Sequence, residues 1–315
     1  MIHPAPEPRH EYFESQRIRM HYAVWGDPST LQDPQGSGRA KPPLLLIHGG
    51  QDHCRNWDFV AAQLRGSYHV IAPDLRGHGD SAWAIGSAYG MPEYVLDLAQ
   101  LLEHVGEKPV TLVGHSLGGA VVLHYTGIYP ENVLKVCAIE GLGPPPHMLV
   151  EKPIEERMRD WVQTTQSLAG RKPREYATLA LAEARMHEAN PHLSAEMAHH
   201  LTVHGVMRLE NGSYVWKFDN YVRAWGPYRY DIEGVRRLWN RIECPVLLVR
   251  GAESWASDPV ADGRALFFRD YRYVEVAKAG HWVHHDQFEV FIDHLQDFLD
   301  VPSTRPGPAA TVERQ

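Results

Sequence analysis

The feature that most constrains this 315-residue chain is the run Val110-Thr111-Leu112-Val113-Gly114-His115-Ser116-Leu117-Gly118-Gly119. It reads as a buried strand running into a serine with a glycine two residues to either side, followed by small residues that open a helix. Gly114 and Gly118 fall where a sharp strand-to-helix turn brings backbone too close for a Cβ. Such a turn lifts the serine hydroxyl above the strand end, and the new helix aims its free N–H groups at whatever the serine attacks. A serine hydroxyl is a poor nucleophile without a base beside it. The rest of the chain must supply one.

The pattern around this run is that of a doubly wound, mostly parallel α/β sheet. An opening hairpin is expected over 12–25, then a polar loop over 27–42. Pro43-Leu44-Leu45-Leu46-Ile47 is a continuous apolar run, as in a strand covered on both faces, and further strands are expected at 68–73, 110–113, 133–139, 245–249 and 271–276. Helices are expected at 57–64, from Tyr94 to about Val105, after Ser116 to about Tyr129, and through Phe288, Phe291, Ile292, Leu295, Phe298 and Leu299. Strands alternating with helices at this spacing define the fold class.

Residues 147–231 break the pattern, with polar helix-like segments at 175–188 and 194–204. A hairpin lies between them and the core, with 206–209 and 214–218 flanking Asn211-Gly212. The expected division is a core of 1–146 and 232–300, a mainly helical insertion of 147–231 after the sixth strand, and a disordered tail of 301–315.

Composition excludes several classes. A net charge of −8 argues against a nucleic-acid surface or a polybasic membrane anchor, and no apolar run is long enough to span a bilayer. The N-terminus has no signal-peptide pattern, and three scattered cysteines make no disulfide framework, so a cytoplasmic setting is expected.

Four motifs, in this order, carry a resemblance to the α/β-hydrolase family over about 300 residues: His48-Gly49-Gly50, Asp74-x-Arg76-Gly77-His78-Gly79-x-Ser81, the turn at Ser116, and Gly280-His281. Asp52-His53, Glu140-Gly141-Leu142-Gly143-Pro144 and Tyr214-x-Trp216-Lys217-Phe218-Asp219 resemble its serine-hydrolase-like branch. The resemblance implies that the insertion is a cap, that Ser116 is the nucleophile and that His281 is the base. It also implies oxyanion donors at the backbone N–H groups of Gly50 and Leu117. The segment from Asp74 to Ser81 reads as a structural turn that needs Gly77 and Gly79. His284, His285 and Asp286 lack metal-ligand spacing, and neither metal nor cofactor is expected.

The acid departs from the commonest family pattern, which places an aspartate three residues past the glycine ending the penultimate strand. Here Gly251 leads to Ser254. Glu140 closes the strand Val136-Cys137-Ala138-Ile139, where some cap-bearing relatives, certain haloalkane dehalogenases among them, carry their acid. Glu140 is the first choice, with Asp258 and Glu253 as alternatives; Asp258 could instead cap a helix beginning at Pro259.

His115, Trp57 and Trp255 are candidate substrate contacts. With Trp161, Trp216, Tyr221, Trp225 and Tyr228 of the cap they suggest a mostly apolar cleft. The implied activity is hydrolysis of carboxylic esters of small to medium apolar substrates through an acyl-enzyme, with water as second reactant. Carbon–carbon bond hydrolysis or cofactor-free perhydrolysis by the same residues is the alternative, and a non-catalytic small-ligand receptor is a further one.

Overall fold

A computed structural model describes residues 6–26, 43–86, 89–106, 108–149, 152–224, 226–228 and 230–302. The loop expected at 27–42, Trp225 and all of the tail beyond 302 lie outside the described residues.

The core elements are β1 (Arg9–Ser15), β2 (Ile18–Trp25), β3 (Leu44–Ile47), α1 (Asp58–Leu64), β4 (Val70–Pro73), α2 (Met91–Val105), β5 (Val110–His115), α3 (Leu117–Ile128) and β6 (Val133–Ile139). The cap follows with α4 (Ile154–Ala169), α5 (Leu179–Ala189), α6 (Ala195–Gly205), β7 (Val206–Arg208) and β8 (Tyr214–Trp216). The core resumes with α7 (Ile232–Trp239), β9 (Val246–Gly251), β10 (Tyr271–Val276), α8 (Val283–Asp286) and α9 (Phe288–Phe298).

The main sheet has eight strands in the order β1-β2-β4-β3-β5-β6-β9-β10. The hairpin β1–β2 joins β4 antiparallel, and every later pairing is parallel. Both faces are covered, which explains the unbroken apolar runs. Along β3 the side chains alternate: Leu44 and Leu46 pack with Trp57, Leu64, Phe291 and Leu295, whereas Leu45 and Ile47 pack with Leu98, Leu101, Val121 and Trp239.

Register places the site. His115 of β5 lies abreast of Ile139 of β6, and Ile139 abreast of Val249 of β9. The ladder runs one residue further, since Ser116 N–H donates to the Ile139 carbonyl at 2.8 Å and Glu140 N–H to the Val249 carbonyl at 2.9 Å. Ser116 and Glu140 therefore leave the carboxyl ends of neighbouring strands side by side.

The cap differs from expectation at its second helix, which begins at Leu179 rather than near 175. Tyr176 instead pairs antiparallel with Tyr214, exchanging both backbone hydrogen bonds at 2.8 Å, and the Thr178 hydroxyl caps α5 by accepting from Leu181 N–H. The cap is anchored through α6, whose Met197 and Leu201 join the cluster around Trp57. The Leu201 carbonyl also accepts from His53 Nε2 at 2.9 Å.

Candidate active site

The turn at Ser116 is strained in the way its glycines foretell. Ser116 has φ 50° and ψ −114°, a conformation that costs a non-glycine residue about 1–3 kcal/mol. A Cβ at Gly114 would stand 2.4 Å from the Gly118 carbonyl oxygen, and one at Gly118 would stand 2.2 Å from that of Ile47. Only hydrogen at both positions lets α3 start this close to the sheet, with Leu117 as its first residue.

The loop 48–50 lies against this turn. A Cβ on Gly49 would meet His115 Nδ1 at 2.8 Å and Ser116 Cβ at 3.2 Å, whereas one on Gly50 would meet nothing within 4 Å. Gly49 is thus the packing glycine, and Gly50 faces open space. His48 holds the loop: its Nε2 accepts from Leu75 N–H at 2.9 Å, so Nδ1 carries the proton and donates to the Gly49 carbonyl at 2.6 Å. Full burial pushes the His48 pKa down to about 3 and keeps the ring neutral.

Glu140, with φ 54°, turns a fully buried carboxylate under the His281 ring. Oε1 accepts from Gly251 N–H at 2.7 Å, and Oε2 accepts from the Ser254 hydroxyl at 2.9 Å. Oε2 also lies 3.4 Å from His281 Nδ1. That contact is close enough for an ion pair, but its angles fall short of a formed hydrogen bond. Gaps of this kind commonly tighten when substrate binds.

The other two carboxylates are engaged elsewhere. Asp258 accepts from the N–H groups of Val260 and Ala261 at 2.8 and 3.3 Å, capping a turn at Pro259 where a helix was expected. Glu253 is exposed and stands 3.7 Å from His192 Nε2. The turn at 74–81 is structural in its contacts: Asp74 accepts from Cys54 N–H and Asp80 N–H and pairs with His21, while Arg76 forms a two-pronged bond to Asp97. Gly77 and Gly79 there have φ of 74° and 53°.

Two of the proposed substrate contacts are not at the surface. Trp57, just before α1, is fully buried and stacks on His284 with ring centroids 4.7 Å apart. His115 is 1% exposed, and its Nε2 donates to the His281 carbonyl at 2.9 Å. It braces the histidine loop from beneath the surface. Trp255 fits better, being 58% exposed with its ring 4.8 Å from that of His281.

A cleft of about 410 Å³ opens beside Gly50 and Trp282, the neighbour of His281. Of the cap aromatics, Trp216 lines it, joined by Tyr176 and Phe218. Tyr221 packs on the core, Tyr228 is 82% exposed, and Trp161 is half-buried on α4. The lining is less apolar than expected, since Arg174, Arg185, Arg223, Asn190 and Asn220 contribute to it. No sequence pattern marks these residues, which come from separate cap segments. Ser254 was visible in the sequence as the residue three past Gly251, but its bond to Glu140 was not, because the two follow different strands.

Among the described residues, two groups gather potential metal ligands: His21, Cys54 and Asp74, and Asp58, His200 and His204. Both have internal partners. The Arg55 guanidinium already bonds both oxygens of Asp58 at 2.9 Å, standing where a cation would, and both Asp74 oxygens hold protein donors.

A strained nucleophile-type turn at the carboxyl end of a parallel sheet, with a histidine and a buried carboxylate beside it, defines a class of hydrolase. The alpha/beta hydrolase fold model matches residues 42–288, and the chain belongs to that family and is a hydrolase. It is 29% identical to the esterase Rv0045c of Mycobacterium tuberculosis over 272 residues, 84% of either chain. It is 27% identical to a serine hydrolase-like protein of Danio rerio over 271 residues, 83% of this chain and 82% of the relative. The thioesterase domain from the curacin biosynthetic pathway shares the fold, with a TM-score of 0.76 at 21% identity, covering 93% of this chain and all of that domain. Among the described residues, no helix is long and apolar enough to cross a membrane.

Proposed function

We propose that this hydrolase cleaves carboxylic esters through an acyl-enzyme on Ser116. The observation that carries the reading is the placement of Glu140 Oε2 3.4 Å from His281 Nδ1, on the strand next to the one that ends in Ser116. Once the Nδ1 contact to Glu140 tightens into a hydrogen bond, His281 Nε2 is free to act as base. It takes the Ser116 hydroxyl proton as Oγ bonds the ester carbonyl carbon. The oxyanion so formed is met by the N–H groups of Gly50 and Leu117. Collapse breaks the carbon–oxygen bond to the alcohol, which leaves with the proton from His281. Water then attacks the acyl carbon with His281 again as base, the acyl carbon–Oγ bond breaks as His281 returns the proton to Ser116, and the carboxylic acid departs. Glu140 orients and stabilises the imidazolium throughout. Protein groups and water suffice for each step.

The apolar part of the substrate would lie on Trp216, Phe218 and Trp282, which wall the cleft next to Gly50. The names of the esterase and serine hydrolase-like relatives agree with this reading. A reducing, cytoplasmic location fits the three free and buried cysteines.

Ser116→Ala should abolish hydrolysis of p-nitrophenyl butyrate and labelling by a fluorophosphonate probe while leaving Tm within a few degrees of the parent. Turnover by the folded variant would refute the assignment.

A further inference from the structure

The cleft that starts at the oxyanion loop is bordered by three guanidinium groups, from Arg174, Arg185 and Arg223, and by no aspartate or glutamate among the described residues. In a chain with a net charge of −8 this is a local reversal of sign. Among the described residues, Arg174 and Arg223 form no ion pair with a carboxylate. Arg174 instead sits over Tyr176, 5.2 Å from the ring centroid, and Arg223 near Phe218 at 5.8 Å, with Arg223 also donating to the side chain of Gln51. A guanidinium laid against an aromatic face keeps N–H edges available for a planar anion. Arg185 carries only an exposed partner one helical turn away, Glu188, at 2.7 Å.

A concave site with one sign of charge concentrates ligands of the other sign and orients them. Paired N–H forks of arginine match carboxylate and phosphate oxygens in geometry as well as charge. Trp216 and Phe218 supply the apolar stretch on which a short chain could lie between the two ends.

We infer that this cleft binds an anionic group, carboxylate or phosphate, carried by the substrate at some distance from the bond that Ser116 attacks. The inference takes the position of that bond from the ester-hydrolase reading, whereas the anion site itself stands on the arginines.

Two matched pairs distinguish the sources of the charge. Mono-p-nitrophenyl glutarate against p-nitrophenyl pentanoate tests a carboxylate on the acyl arm. Butyryl-CoA against S-butyryl-N-acetylcysteamine tests phosphates on the leaving group. In one pair the anionic member should have kcat/KM higher on the order of tenfold, an advantage that shrinks with added salt. Arg174→Gln and Arg185→Gln should each lower that ratio several-fold, with Arg174→Lys retaining most of it.

Binding is read without turnover in the Ser116→Ala variant, by calorimetry with glutarate, CoA and the neutral control glutaramide. Neutral members preferred in both pairs, a ratio untouched by the arginine substitutions, or no binding of either anion would each overturn the inference. Arginine-dependent anion binding with no ester or thioester turned over would uphold the inference and remove the esterase reading instead.

Discussion

Ser254 donates its hydroxyl to Glu140 Oε2 at 2.9 Å, and the same oxygen lies 3.4 Å from His281 Nδ1. The residue three past Gly251 is thus a donor that steadies an acidic residue on the adjacent strand. With the Gly251 amide on Oε1, the carboxylate has a partner on each oxygen and one edge left for the histidine. Such partners offset part of the cost of keeping the charge buried.

Glu140→Gln should therefore lower kcat on the order of 10³-fold with little change in KM, because the imidazolium loses its counter-charge and tautomer control. Ser254→Ala should cost on the order of tenfold, as one of the two supporting bonds is lost. Adding S254D to the Glu140→Gln background should recover part of the deficit, since it returns a carboxylate to the usual strand. Steady-state kinetics on an activated ester check all three. Near-parental kcat in Glu140→Gln, with a large loss in Asp258→Asn or Glu253→Gln, would move the acid elsewhere.

His115 reaches the reaction only through the loop it holds. His115→Phe removes the 2.9 Å bond to the His281 carbonyl and should lower kcat more than it raises KM. The bond is worth about 1 kcal/mol to the fold, so a small fall in Tm should accompany the kinetic loss. His115→Gln, which keeps an N–H donor, should restore part of kcat. A defect confined to KM would mean that residue 115 touches substrate after all.

The two loop glycines should separate packing from catalysis. Gly49→Ala puts a methyl 2.8 Å from His115 Nδ1 and should lower both Tm and kcat. Gly50→Ala projects into open space and should keep Tm while altering kcat or KM. Matched thermal melts and kinetics decide, and equal Tm losses would place both glycines in the packing.

Acid should unfold the protein early. Burial holds His48 and His285 at about 3 and His78 at about 4, against an ordinary value of 6.5. As pH falls below 6.5 the unfolded chain takes up protons at these positions that the folded chain refuses, and stability drops toward the folded values. His204 is likewise held at about 3, and burial lowers His53, His115 and His284 as well, whereas Asp52, raised to about 7 by desolvation, and Asp286, also raised by desolvation, work the other way. Urea unfolding should show stability lower by roughly 2 kcal/mol or more at about pH 5 than near pH 7. A flat profile over that interval would show that these rings find protons or partners in the folded state.

Much of the fold is local in origin and could be read residue by residue. The unbroken Leu44–Ile47 run requires cover on both sheet faces, and it has it. Asn211-Gly212 closes the hairpin between β7 and β8, with Gly212 at φ 86°. Where expectation missed, the deciding partner was distant in sequence. Tyr176 was expected in a helix, but pairing with Tyr214 holds it extended. Trp57 was expected in the cleft, and the apolar spacing of its segment does not say which neighbour covers the ring; His284 does.

By itself the sequence determined the turn at Ser116, because glycines at 114 and 118 admit a backbone path that a Cβ would block. It also determined the alternation of strands and helices, since hydrophobic period is a local property. Only the tertiary structure decided what gathers around that turn. The register of β5, β6 and β9 sets Ser116 beside Glu140 and brings Gly251 and Ser254 to the carboxylate, while cap segments far apart in the chain bring three arginines to one cleft. Those meetings depend on which strands and cap segments become neighbours, and no short stretch of sequence carries that information.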